Sequence, residues 1–172
     1  MKRLCIVLLS MVLLFSFASC SSATKEQEQV ELPSNIETEN TETKVTFQKT
    51  GIIKEQKLLD DNDFTVSATS LEYNSYAAIL NIEIENKSNK ELSFASACYA
   101  YSENTVNGIK VEEGYFNSDI SAGETKFEDL YFQYDSLQAL GIEKIDQLKI
   151  GFYIKYEDGR ELYRMTEVEI SQ

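Results

Sequence analysis

Leu80-Asn81-Ile82-Glu83-Ile84-Glu85-Asn86 decides the fold class. Its apolar residues fall on every second position: Leu80, Ile82 and Ile84 point one way, Asn81, Glu83 and Glu85 the other. A period of two belongs to a strand with one buried face and one wet face; a helix requires 3.6. Leu148, Ile150, Phe152, Ile154 and Tyr156 repeat the pattern. Asn86-Lys87-Ser88-Asn89 ends the first run, and Leu92, Phe94 and Ser96 begin the next.

Turn chemistry separates these runs. Val106-Asn107-Gly108-Ile109 predicts a tight hairpin, because Asn-Gly tolerates the positive φ of a type I′ turn. Glu157-Asp158-Gly159-Arg160 predicts another, with the strand from Leu162 to Ile170 returning along the one before it. Two runs break their own parity. Phe64, Val66 and Ala68 give way to Leu71 and Tyr73, and Tyr163 and Met165 give way to Val168 and Ile170. A bulge near Thr69 or Thr166 would re-aim the face. One short helix is expected at Ser136 to Leu140, stopped by Gly141. The whole predicts an all-β, antiparallel, immunoglobulin-like sandwich of seven to nine strands over residues 45–172. It has neither the internal disulfide nor the buried tryptophan of antibody domains.

Ile84-Glu85-Asn86-Lys87-Ser88, followed later by Ala122-Gly123-Glu124 and then Leu130-Tyr131-Phe132, resembles small immunoglobulin-like lipoproteins of low-GC Gram-positive bacteria. It is also similar to the mycobacterial immunoprotective extracellular fold. The resemblance covers most of Val45 to Gln172. It implies a fold and a location, with no catalytic residues to carry over.

The N-terminus reads as an address. Lys2 and Arg3 precede an apolar run from Leu4 to Phe17, too short for a bilayer span of about 20 residues. Phe17-Ala18-Ser19-Cys20 resembles the bacterial lipobox, although Leu is usual where Phe17 stands. The resemblance implies a signal peptide over 1–19 and a diacylglyceryl thioether on Cys20, hence a lipid anchor on the extracytoplasmic face of the cell membrane. Two acyl chains anchor stably where one is marginal. The competing reading is an ordinary signal peptide cleaved near Ser19, Ser22 or Ala23. Residues 20–44 carry Glu26, Glu28, Glu31, Glu37, Glu39 and Glu42 against Lys25 and Lys44, with Val30, Leu32 and Ile36 isolated. Such a segment buries too little to offset its ordering entropy and predicts a disordered acidic tether.

Charge and composition exclude several functions. The formal net charge is −13, and removal of Lys2 and Arg3 deepens it. No basic run exists to track phosphates, so no nucleic-acid partner is expected. The chain has no histidine, which excludes Ser-His-Asp and Cys-His nucleophiles. Cys5 leaves with the signal and Cys20 is the lipid site, so Cys98 stands alone among Ala95, Ala97 and Ala100 and reads as small buried packing.

Asp60-Asp61-Asn62-Asp63 gathers oxygen ligands of the kind calcium takes, with Asp60, Asp61 and Asp63 as weak metal candidates. The same residues suit a tight turn between Leu59 and Phe64, and the spacing and glycine of a dedicated calcium loop are missing. No metal and no cofactor are therefore expected. Ten tyrosines follow Val45. They cannot all lie in a core, and Tyr73, Tyr76, Tyr99 and Tyr101 are the candidate partner surface, although β-propensity alone explains many tyrosines. The expected role is a non-enzymatic binding module for an unidentified extracytoplasmic protein or glycan. The alternatives are a carbohydrate-active or other carboxylate-dependent hydrolase, and a structural or stress lipoprotein of the envelope.

Overall fold

The computed structural model describes residues 46–96 and 103–172. Ten strands and one helix form among them. In chain order they are β1 (Gln56–Asp60), β2 (Phe64–Tyr73), β3 (Ala77–Asn86), β4 (Leu92–Ser96), β5 (Asn104–Val106), β6 (Ile109–Val111), β7 (Phe116–Ile120), β8 (Thr125–Gln133), α1 (Tyr134–Ala139), β9 (Leu148–Tyr156) and β10 (Glu161–Val168). The excess over the expected seven to nine strands comes from the two three-residue strands β5 and β6. They flank the Asn-Gly turn, where Asn107 and Gly108 take φ of 52° and 79°.

All strand pairs are antiparallel. One sheet runs β1-β2-β3-β8, and the other runs β6-β5-β9-β4-β7 with β10 on the far edge of β9. β4 and β5 share one edge of β9: Ser96 faces Phe152 and Thr105 faces Lys149. The chain changes sheets between β3 and β4, between β7 and β8, and between β8 and β9, as an immunoglobulin-type sandwich requires.

The alternating positions meet between the layers. Leu80, Ile82 and Ile84 of β3 are fully buried, as are Leu148, Ile150, Phe152 and Ile154 of β9. Phe64 and Phe94 cross the interlayer space edge to face at 5.3 Å. Each such aliphatic or aromatic side chain contributes about 1.5–3 kcal/mol on burial.

The parity break in β2 is a bulge at Thr69, where the register to β3 shifts between Ala68 and Ser70. Thr69 Oγ1 donates to the Asn81 carbonyl at 3.1 Å, holding the extra residue. The second expected bulge does not form. β10 pairs β9 without interruption from Glu161 to Val168. Leu162, Thr166 and Val168 share the inward phase, and Tyr163 and Met165 face solvent. β10 is an outer strand whose side chains need not follow the core, so apolar type misled the parity reading.

The helix starts earlier than expected. α1 follows β8 directly, with no side-chain cap at Gln133. Tyr134 sets its start: the Tyr134 hydroxyl donates to the Ala77 carbonyl at 2.7 Å, and its ring stacks on Phe47 at 4.4 Å. Gly141, at φ 75°, ends it as expected. The Ile142 N–H reaches the Leu137 carbonyl and the Gly141 N–H reaches the Gln138 carbonyl, both at 2.9 Å.

The two ends of the sandwich differ. One gathers the turns after β1, β3, β7 and β9. The Lys87 N–H bonds the Asp63 carbonyl at 2.8 Å, and the Asn86 N–H bonds the Glu124 carbonyl at 2.9 Å. The other end holds the β2–β3 turn, the Asn107-Gly108 turn and α1. There the chain enters the domain as a strap: the Gln48 N–H bonds the Glu143 carbonyl at 2.7 Å, and Ile52 exchanges backbone bonds with Ser171 at 2.9 and 2.8 Å.

Candidate functional site

β8 is where the inward pattern turns from apolar to charged and an aromatic turns outward. Leu130 and Phe132 are buried, as a core strand requires. Two residues earlier the pattern inverts in composition. Lys126 and Glu128 share the inward phase, opposite Ile84 and Ile82, while Phe127 faces outward and is 70% exposed. The inner rim admits charge because β8 is an edge strand: Lys126 Nζ turns away and donates to the Asp119 carbonyl on β7.

The outward face is built by register. Phe127 stands opposite Glu83, Asp129 opposite Asn81, and Tyr131 opposite Ile79, which in turn faces Glu72 on β2. Asn81 Nδ2 donates to Glu72 Oε1 at 3.1 Å and to Ser70 Oγ at 2.6 Å, fixing the polar centre of the face. Tyr131 is 38% exposed and donates weakly to Asp129 Oδ2 at 3.5 Å. The Asp129 carboxylate pushes the Tyr131 phenol above its ordinary range, with partial burial and nearby Tyr76 adding to it. Tyr76 is 54% exposed, and its carbonyl accepts from the Tyr134 N–H at 2.9 Å. Tyr115 is 59% exposed and follows Gly114, whose N–H bonds the Tyr131 carbonyl at 2.8 Å. Phe127, Tyr131, Tyr76 and Tyr115 are thus all carried on β8 or on segments bonded to its end.

Of the four tyrosines expected as partner surface, Tyr76 belongs to this face. Tyr73 does not. It is half-buried against the core, and its hydroxyl accepts from the Gly51 N–H at 3.1 Å. Burial raises its phenol above the ordinary range. The bulge at Thr69 accounts for this, since it turns Leu71 and Tyr73 inward. Tyr99 and Tyr101 lie outside the described residues, as do Cys20, Cys98, the signal segment and the tether.

Phe127 was not among the expected site residues. Its signal was present in Thr125-Lys126-Phe127-Glu128-Asp129, where a lone aromatic sits out of phase with Leu130 and Phe132. A second exposed patch lies on the other sheet, where Tyr153 and Tyr163 face each other across β9 and β10 at 5.0 Å beside exposed Met165.

The Asp60–Asp63 segment is a turn locked by cations. Asp60 accepts from Lys57 at 2.8 Å and from Lys87 at 3.1 Å. These hydrogen bonds, that of Lys57 foremost, hold its carboxyl at about 2. Asp63 faces Arg160 at 3.8 Å, and Asp61 Oδ1 accepts weakly from the Asp63 N–H at 3.4 Å. Among the described residues no three acids converge as metal ligands.

Three asparagines hold the loops, and the sequence reading did not single out any of the side chains for this. Asn86 is fully buried; its Nδ2 donates toward the carbonyls of Lys90 (2.7 Å), Ile120 (2.9 Å) and Ser121 (3.1 Å). Asn104, also buried, donates to the Glu113 and Gly114 carbonyls and accepts from the Gly151 N–H at 3.0 Å. Asn107 accepts from the N–H groups of Asp146 and Gln147 at 2.8 and 2.9 Å. A groove of about 380 Å³ lies between the β6 end and α1, lined in part by Val111, Glu112, Glu113, Ala139 and Leu140.

No family model and no curated protein matches the chain. Among solved structures it is similar to a β-glucosidase from Kluyveromyces marxianus, at 12% identity and TM-score 0.29, over 62% of this chain and 14% of that one. It is similar to chicken MD-1 complexed with lipid IVa, at 13% identity and TM-score 0.27, over 70% and 98% of the two chains. A protein from Archaeoglobus fulgidus gives 16% identity and TM-score 0.27, over 69% and 95%. Likenesses at this level carry no argument about activity.

Proposed function

We propose that the protein is a lipid-anchored, extracytoplasmic binding module that acts by contact. Cys20 holds the membrane, residues 21–44 give reach, and the sandwich presents the outward face of β8 to a partner in the envelope. The observation that carries this reading is the set of exposed aromatics Phe127, Tyr131, Tyr76 and Tyr115, carried on β8 or on segments bonded to its end, with Phe127 set between Lys126 and Glu128. Exposed aromatics give large contact area at low entropic cost and are the usual anchors of recognition surfaces. The lipobox-like Phe17-Ala18-Ser19-Cys20 supports the location.

Two experiments test it. A photo-reactive phenylalanine analogue at position 127 should trap one adduct of defined mass in living cells, while the same group at Ala122, on the turn after β7, should not. Identical labelling from both positions, or none from either, would refute the binding role. Separately, Cys20→Ala should leave unprocessed precursor or release the protein from membranes. Its retention in the membrane at mature size would refute the anchor.

A further inference from the structure

We infer that the free edge of β8 from Thr125 to Asp129 is where the partner docks, and that the occupant is an extended segment rich in Lys or Arg that adds to the sheet as a strand. This rests on the binding-module reading and names the chemistry of its partner.

Backbone phase comes first. In an antiparallel pair, alternate residues turn both main-chain groups to the same edge. The Tyr131 carbonyl points away from β3, because it accepts from the Gly114 N–H, and the Gln133 N–H does the same toward the Glu113 carboxylate at 3.4 Å. Those contacts close the edge from Tyr131 onward. Phe127 and Asp129 have the same phase as Tyr131, and β8 pairs only β3 among the described strands. Among the described residues the N–H and C=O groups of Phe127 and Asp129 therefore form a short open ladder.

Protected edges carry inward charge, bulges or proline. Lys126 and Glu128 supply inward charge here, yet Phe127 stands beside the open ladder on the outward face. An added strand places every second side chain on that face, next to Phe127 and Asp129.

Charge selects the occupant. Glu72, Glu83, Glu85 and Asp129 lie on the outward face of β2, β3 and β8. None of them is in an ion pair with a described residue. Lys57, at the far side of the sheet, is held by Asp60. A strand with alternating cations would set one head group over the Phe127 ring and the next beside Asp129. A second copy adding through its own β8 would instead bring a further acidic face, with Asp129 on its edge strand and Glu83 one strand in, and no alternating cations.

The test uses the isotopically labelled protein and three short peptides. One alternates Lys with Val and Thr, one replaces each Lys by Glu, and one is the Lys peptide N-methylated along one edge. The Lys peptide should slow hydrogen exchange at the Phe127 and Asp129 amides about tenfold. Asp129→Lys, or about 0.5 M salt, should abolish this. The other two peptides should have no effect. Phe127→Ser should weaken the response while leaving the melting temperature unchanged, which separates contact from folding. Unchanged exchange with the Lys peptide, or equal protection by the Glu or N-methylated peptide, would overturn the inference. A trapped adduct from position 127 without a Lys-peptide response would overturn this inference alone and leave the binding module standing; loss of both would remove both.

Discussion

Asn86→Ala should unfasten the whole turn-bearing end of the sandwich. Asn86 is fully buried at the end of β3. Its amide nitrogen serves three carbonyls at 2.7–3.1 Å. Its Oδ1 accepts from the Ser88 N–H at 3.0 Å and from the Ser88 hydroxyl at 2.7 Å. The Ile120 contact is buried, whereas water reaches the Lys90 and Ser121 contacts. A dry unsatisfied group costs about 1–3 kcal/mol, and wet ones less. The sum for Ala is about 3 kcal/mol, or about 10 °C in melting temperature for a domain of this size. Asn86→Asp keeps the volume and the bonds to Ser88 but sets a carboxylate against three carbonyl oxygens. At neutral pH it should cost about 4 kcal/mol, more than Ala. The fold raises the carboxyl of this variant above its ordinary value of about 3.9. Its deficit is therefore smallest below that value and grows as pH rises through the raised one. Urea unfolding followed by tyrosine fluorescence measures both variants, since the chain has no tryptophan. A loss under about 1 kcal/mol for Ala, or an Asp deficit independent of pH, would refute the account.

Gly114→Ala should destabilise strongly, because φ is +75° and a Cβ would lie 2.6 Å from Phe132 Cζ and 2.8 Å from Asn104 Nδ2. Gly159→Ala has the same kind of φ with nothing within 4 Å, so it should cost only about 1 kcal/mol; equal melting temperatures for the two would contradict this. The Asp60 carboxyl should titrate at about 2 by NMR, and move toward 3.8 when Lys57 and Lys87 are both replaced by Ala. Being depressed, it favours the folded state above its ordinary range, and that contribution is lost as pH falls through about 2. A native midpoint near 3.8 would show that the lysines do not hold it.

What was legible in the chain followed the core. Leu80-Ile82-Ile84 and Leu148 to Tyr156 alternate because both strands are central, paired on both edges, and buried on one face. The Thr69 bulge was legible for the same reason: Leu71 had to return to the core. Edge elements were harder. Tyr163 and Met165 read as inward by type, yet both lie on the solvent-exposed side of β10, Tyr163 against Tyr153. Tyr134 begins α1 through contacts to Phe47 and Ala77, neither of which is near in sequence. The site was half legible. Tyr76 was expected, Tyr73 was turned inward by the bulge, and Phe127 was passed over because a lone aromatic between charges carries no periodic signal. The asparagines were legible as turn residues but not as amide clamps, since Asn86 reaches Ile120 across 34 positions.

The strap at residues 46–53 gives the domain a mechanical grip. Any pull on the chain ahead of Thr46 loads the Gln48–Glu143 bond and the Phe47–Tyr134 stack first, and only then the paired bonds of Ile52 to Ser171. These contacts are a few single bonds and one ring stack, so they yield one after another, as a zipper does. The strap thus works as a fuse with a few residues of slack. Because the strap runs on into β1, in the sheet that carries β8, and Phe47 stacks on the residue that follows β8, a pull that outlasts this slack passes next to the β8 face itself.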